Sequence, residues 1–198
     1  MSTVAIIGSG KIGSALATRF FAAGLNAMIT NSRGPESLAE LTAKFGGLIE
    51  AVKVEDALLA DIVILAMHFD AVQKAVGGVA DWEGRIVVDA TNAINFPEFT
   101  PRDLGDRLST QVVAEMAPGA RVVKAFNTLQ AHVLTADPDA GIGRRVLFLS
   151  GDYGDANRTI GELIYQLGFF PIDLGTLTTG ALMQQFSGPL AKMNLLKD

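Results

Sequence analysis

The chain contains no cysteine, which excludes disulfides, thiolate zinc sites and cysteine nucleophiles and fits a reducing compartment. No apolar run approaches the roughly 18 residues of a membrane span, and no basic region precedes the short apolar segment near the start. A soluble, unprocessed, cytoplasmic protein is therefore expected. Positive charge is sparse: no run of Lys or Arg exceeds two, and the net charge is −5. That argues against nucleic acid or an anionic membrane as a partner. Histidine is scarce too, with only His68 and His132. Neither stands in a cluster spaced for a metal or in a Ser-His-Asp arrangement. Charged residues are few (19%) against 49% hydrophobic, which excludes disorder, and repeats, low-complexity tracts and linkers are missing. A single domain over residues 1–198 is expected.

What is present begins with Val4-Ala5-Ile6-Ile7, an apolar run too short for a helix. Gly8-Ser9-Gly10-Lys11-Ile12-Gly13 follows, and Ile12, Ala15, Leu16, Phe20 and Ala23 then fall at helical spacing up to Gly24. Strand, glycine turn and helix in this order form a dinucleotide fingerprint. Gly8 permits the tight turn, Gly10 lets the backbone approach a pyrophosphate, and Gly13 lets the helix sit close to the strand. The second strand, Asn26 to Thr30, ends at Asn31-Ser32-Arg33. NAD-binding versions of this unit carry an acid there for the ribose 2′-hydroxyl, and this chain has none. Ser32 can donate a hydrogen bond to a 2′-phosphate and Arg33 can offer it a forked, charged contact, so NADP(H) is the expected nucleotide. A merely solvated Arg33 is the alternative.

Further strands are expected at 48–52, 61–66, 85–89, 121–126, 146–150 and 169–173, the last at a sheet edge because of Pro171. Helices are expected over 35–45, 71–79 and 156–167, with another starting at Leu129. The alternation implies an α/β fold: a doubly wound, parallel, Rossmann-type sheet covered on both faces, followed by a short helical C-terminal segment. Ligands of such sheets lie outside the carboxyl ends of the strands, which gathers Met67, His68, Thr91 and Asn92 into one crevice. His68 there is either a proton donor or a ring that packs or meets water, and Asp89 is expected to be structural. From about 176 to 198, Leu177, Ala181, Leu182, Phe186 and Leu190 recur at near-helical spacing, and Met193, Leu195 and Leu196 follow. This segment is expected to complete an acceptor pocket, with Met183 and Phe186 flanking a planar ring near Asn127, and to meet a second subunit in a homodimer; packing on its own sheet is the alternative.

Taken together, Ile6 to Gly13, Asn31-Ser32-Arg33, Asp89-Ala90-Thr91-Asn92 and Val122-Val123-Lys124-Ala125-Phe126-Asn127-Thr128 make the chain recognisable. It resembles the NADPH-dependent reductases of the deazaflavin coenzyme F-420, a small NADP oxidoreductase family whose fold also appears in the reductase domain of membrane metalloreductases. The likeness covers most of residues 3 to 173. It implies direct hydride transfer between NADP(H) and a flavin or deazaflavin ring stacked on it, with a small-molecule redox acceptor as the partner. It further implies that Ser9, Lys11 and Ile12 lie along the pyrophosphate and that Ser32 and Arg33 meet the 2′-phosphate. Met67 and His68 would border the nicotinamide, and Asn127, Thr128 and Leu129 would face the acceptor. Two other functions compete: reduction of a small carbonyl or imine compound, and NADPH sensing without turnover. Reductases of the first kind add a helical domain of about a hundred residues, for which this chain has no room.

Overall fold

The computed structural model describes residues 2–198. Its framework is a sheet whose central strands are β1 (Val4–Ile7), β2 (Ala27–Thr30), β3 (Ile49–Ala51), β4 (Ile62–Leu65), β5 (Ile86–Asp89) and β6 (Arg121–Ala125). These six pair in parallel, in the order β3-β2-β1-β4-β5-β6. Such strands are buried on both sides, so they read as continuous apolar runs. Alternate residues still go to opposite faces. Ile6, Ile64 and Val88 join one core with helix α1 (Lys11–Ala22), whereas Ile7, Leu65 and Val87 join another. The second core is closed by α2 (Val72–Val76) and α3 (Ser109–Met116), which place Val72, Val76, Val112 and Val113 against the sheet. Helix α1 stops where Gly24, at φ +69, reverses the chain so that the Leu25 N–H reaches back to the Phe20 carbonyl.

Two more strands, β7 (Arg144–Gly151) and β8 (Phe170–Asp173), continue the sheet beyond β6. Here the parallel expectation is corrected. β7 runs antiparallel to β6, with Lys124 opposite Ser150, and β8 runs parallel to β7. A parallel return needs a crossover that travels the length of the sheet. The helix available, α4 (Ala131–Thr135), is only five residues long and packs beside α1 at the end where β6 finishes, so the next strand sets out from that same end. The later crossover through α5 (Gly154–Gln166) is long enough, and β8 takes the edge as Pro171 implied.

Two expected helices are also revised. Residues 35–45 form three successive short turns, Pro35–Leu38, Ala39–Thr42 and Ala43–Phe45. Hydroxyls there bond locally to the backbone: Ser37 donates to the Gly34 carbonyl and Thr42 to that of Leu38. The C-terminal segment is helical only over Leu177–Ala181 and Leu182–Gln184. It then turns through Ser187-Gly188-Pro189 and ends with Leu196–Lys197 paired antiparallel to β7. Gly188 lets the chain fold back, since a Cβ there would lie 2.6 Å from the Met183 carbonyl oxygen.

Candidate functional site

At the carboxyl ends of the parallel strands the three glycines of the first turn have separable duties. Gly8 sits at φ +116, its N–H donates to the Thr30 carbonyl at 2.8 Å, and a Cβ would stand 2.2 Å from the Ala66 carbonyl oxygen. A Cβ on Gly13 would stand 1.8 Å from the Gly8 carbonyl oxygen, so the helix is pressed onto the turn itself. Gly10 is different. It is exposed, at φ −73, and a Cβ there would meet nothing within 4 Å. Two glycines are required by contacts inside the protein, and the third leaves room for something outside it.

That room lies at the N-terminus of α1, where no side chain caps the helix and no acid occupies the first turn. Its first N–H groups are left for an anion. Beside it, Asn31 donates to Ser9 at 2.9 Å and to Ser37 at 3.0 Å, and its Oδ1 accepts from the Arg33 N–H at 2.8 Å. Asn31 thus ties the glycine turn to the loop after β2. Its side chain is occupied in this way, whereas Ser32 and Arg33 are exposed and Arg33 makes no ion pair among the described residues. Open space, free N–H groups and a free guanidinium fit a dinucleotide bearing a 2′-phosphate.

The floor of the crevice is a buried ionic cluster. Asp89, at the end of β5, accepts from the Thr91 N–H at 2.9 Å and hydroxyl at 2.7 Å, from the Thr110 hydroxyl at 2.7 Å and from Lys124 at 2.9 Å. Lys124 also donates to the Thr91 carbonyl at 2.7 Å, and both charged side chains are fully buried. Burial, the largest influence on Asp89, pushes its pKa up. The Lys124 charge and the bonds from Thr91, Lys124 and Thr110 together outweigh it and hold the carboxyl below its ordinary value. Thr91 therefore turns its hydroxyl inward, and its part is to shape the loop that presents Asn92.

Asn92 and Asn127 bond to each other across β5 and β6: Asn92 donates to the Asn127 carbonyl, and Asn127 donates to the Asn92 side chain, each at 3.1 Å. Phe126, buried at φ +63, makes the turn that brings Asn127 there. Asn127 also donates to the Gln184 carbonyl at 2.8 Å, and the Lys192 N–H donates to the Thr128 carbonyl at 2.9 Å. The C-terminal segment is thus seated on Asn127 and Thr128. Thr128 and Leu129, expected to face the acceptor, are buried instead, Leu129 in the core beside α1, while Met183 is exposed and Phe186 half-buried. Met67 is half-buried and His68 exposed at the end of β4.

Gln184 was not anticipated. It is fully buried, and its side chain donates to the Lys124 carbonyl at 3.3 Å and the Phe148 carbonyl at 3.1 Å while accepting from Ser150 at 2.6 Å. Nothing in its local sequence distinguishes it. Lys124, by contrast, carried a signal, because a lysine inside an apolar strand has to find an anion. Among the described residues no three His, Cys, Asp or Glu side chains are grouped to hold a metal ion, and no helix is long and apolar enough to cross a membrane.

Sheet order, glycine turn and crevice define a dinucleotide-binding fold of the Rossmann class. Residues 3–93 match the family described as NADP oxidoreductase, coenzyme F420-dependent. That match spans 91 of the 198 residues, from the start of β1 past the end of β5, and makes this part of the chain similar to NADP-dependent oxidoreductases. It is 31% identical over 177 residues to metalloreductase STEAP3 of Rattus norvegicus, covering 89% of this chain and 34% of that protein. The chain spans about a third of the length of the curated relatives it matches, 34% in each case. A hypothetical protein, SMa0349, from Sinorhizobium meliloti superposes with a TM-score of 0.98 at 61% identity, over 100% of this chain and 97% of that one. A proposed F420-dependent NADP reductase from Arthrobacter sp. FB24 superposes with a TM-score of 0.76 over 90% of this chain and 86% of that one; at 24% identity it shows the shared fold.

Proposed function

We propose that the chain uses NADPH to reduce a flavin-like ring, an isoalloxazine or the deazaflavin of coenzyme F420, by direct hydride transfer. The observation that carries the cofactor half is the empty flank of Gly10, set between the free N-terminus of α1 and the free Ser32 and Arg33. Gly8, Ser9, Gly10, Lys11, Ile12 and Gly13 hold the pyrophosphate, Ser32 and Arg33 the 2′-phosphate, and Met67, His68 and Asn92 the nicotinamide end. Asn127, Met183 and Phe186 wall the acceptor side, where the C-terminal segment already rests. When bound, NADPH supplies two electrons with one proton as hydride, and the acceptor takes its second proton from water. The side chains around it have only to orient two rings, so the Asn92–Asn127 pair suffices and no dedicated acid or base is needed. Residues 1–198 act as one unit in this reading. The exposed Leu182, Met183, Met193, Leu195 and Leu196 are the surface on which a homodimer would form.

Oxidation of NADPH, followed by absorbance with F420, riboflavin, FMN and a panel of carbonyl and imine compounds offered in turn, tests the reading. Turnover with the ring compounds alone supports it. Turnover confined to the carbonyl panel, or with none of them, overturns it.

Arg33→Ala should weaken NADPH by one to two decades, since a charged hydrogen bond to phosphate contributes about 1.5–3 kcal/mol. NADH binding should be unchanged. Calorimetric titration of both nucleotides decides; equal loss for both would assign Arg33 to folding.

A further inference from the structure

Directly after Asn92 the chain leaves the sheet as a small hairpin, Ile94–Asn95 paired with Thr100–Pro101, which sequence reasoning missed. Its tip carries two phenylalanines that remain largely in water, Phe96 at 49% and Phe99 at 64% exposure. A tip built from two exposed large apolar rings is the informative exception to burial. The rings are also ordered. Phe99 stands edge-on to Phe96 with centroids 5.0 Å apart, and Phe96 stands edge-on to His68, again at 5.0 Å. Phe99 adopts φ +54, a region that a bulky residue enters only at a cost in energy.

The row is fastened over the crevice. Arg102, just past the hairpin, pairs with Asp70, just past His68, and the Arg102 N–H donates to the Ala93 carbonyl at 3.0 Å. The hairpin issuing from β5 is thereby tied to the loop issuing from β4. That loop in turn lies against the glycine turn, as the 2.2 Å approach of a Gly8 Cβ to the Ala66 carbonyl oxygen shows. Three aromatic rings thus overhang the two strand ends between which the nicotinamide would lie.

We infer that Phe96, held edge-on between His68 and Phe99, offers its face to the acceptor's planar tricyclic ring as a stacking platform. The inference rests on the proposed function and names the part of the site that selects a ring over a small carbonyl compound. A hydride acceptor must lie within van der Waals contact of the nicotinamide, and a tricyclic ring held there extends beyond it. Exposed aromatic rings beside that position bind such a surface through its π-face, whichever polar groups decorate the ring. The Asp70–Arg102 pair keeps the platform in place.

The test uses riboflavin and 8-hydroxy-5-deazariboflavin, which carry the ring without a phosphate, and reads quenching of their fluorescence alongside the Michaelis constant in NADPH oxidation. Phe96→Leu keeps an apolar side chain at the tip and removes the ring, whereas Phe96→Tyr keeps the ring. Phe96→Leu should weaken ring binding and raise the acceptor's KM by about tenfold, from one lost stacking contact. Phe96→Tyr should restore both, and the affinity for NADPH should not move in either. If the wild type turns the rings over and Phe96→Leu binds them equally well, the platform is refuted while the proposed function stands. If the wild type binds the rings through Phe96 and oxidises no NADPH, the platform stands and the proposed function falls. Absence of binding to both compounds refutes the platform, as does a variant whose only change is its oligomeric state.

Discussion

A Gly10→Val variant should fold and should bind NADPH on the order of a hundredfold more weakly or worse, because the added side chain enters the open space in which the proposed function puts the pyrophosphate. The magnitude follows from losing one or two charged hydrogen bonds at roughly 1.5–3 kcal/mol each. Folding survives for two reasons. The Gly10 backbone, at φ −73 and ψ −169, is one that valine adopts readily, and its Cβ meets no protein atom within 4 Å. Gly13→Ala is the contrasting control. Its Cβ would stand 1.8 Å from a backbone oxygen, so that variant should lose stability as well as binding. Thermal unfolding and nucleotide titration on both proteins separate the two effects. A Gly10→Val protein that binds NADPH normally would mean that the glycine turn serves only the fold.

The second large effect is expected at Lys124. Replacing it with methionine leaves Asp89 buried with no counter-charge, and breaking a buried pair from one side typically costs about 3–5 kcal/mol. The midpoint of urea unfolding should fall accordingly, and the double variant Asp89→Asn with Lys124→Met should recover part of the loss. The same pair sets a pH dependence. Asp89 titrates below its ordinary value in the folded protein, so its contribution is complete above the ordinary carboxylate range. It is lost as the pH falls through the depressed value, when the unfolded chain binds a proton that the folded one resists. Urea midpoints measured from neutral pH downward should therefore drop in the wild type and drop less in the double variant. A Lys124→Met midpoint equal to the wild type would show that the cluster contributes nothing to stability.

What could be read without coordinates was whatever depends on near neighbours. The glycine turn, the missing acid after β2 and the buried parallel strands each announce themselves within a dozen residues, and each is where the spacing put it. Strand direction does not announce itself: Val146-Leu147-Phe148-Leu149 has the same apolar look whichever way it runs, and the reversal of β7 follows from where a five-residue helix happens to pack. The hairpin was illegible because Phe96 and Phe99 look like core residues in a list of letters, and only the fold leaves them outside. Gln184 was hidden among Ala181, Leu182 and Phe186, whose near-helical spacing suggested an apolar stripe. Asp89 was expected to be structural, and it is, but its four donors come from three separate segments that no local pattern connects.

The bonding of Gln184 has a consequence for the order in which the molecule can be completed. Chains emerge from the ribosome N-terminus first, and the turn, the helix and the strands that form the nucleotide half lie entirely within the stretch made early. The Lys124 and Phe148 carbonyls and the Ser150 hydroxyl then wait for an amide 34 to 60 residues downstream. During synthesis these three groups should thus stay without their amide partner until the C-terminal segment has emerged, so the core between β6 and β7 is the last part of the molecule to be completed.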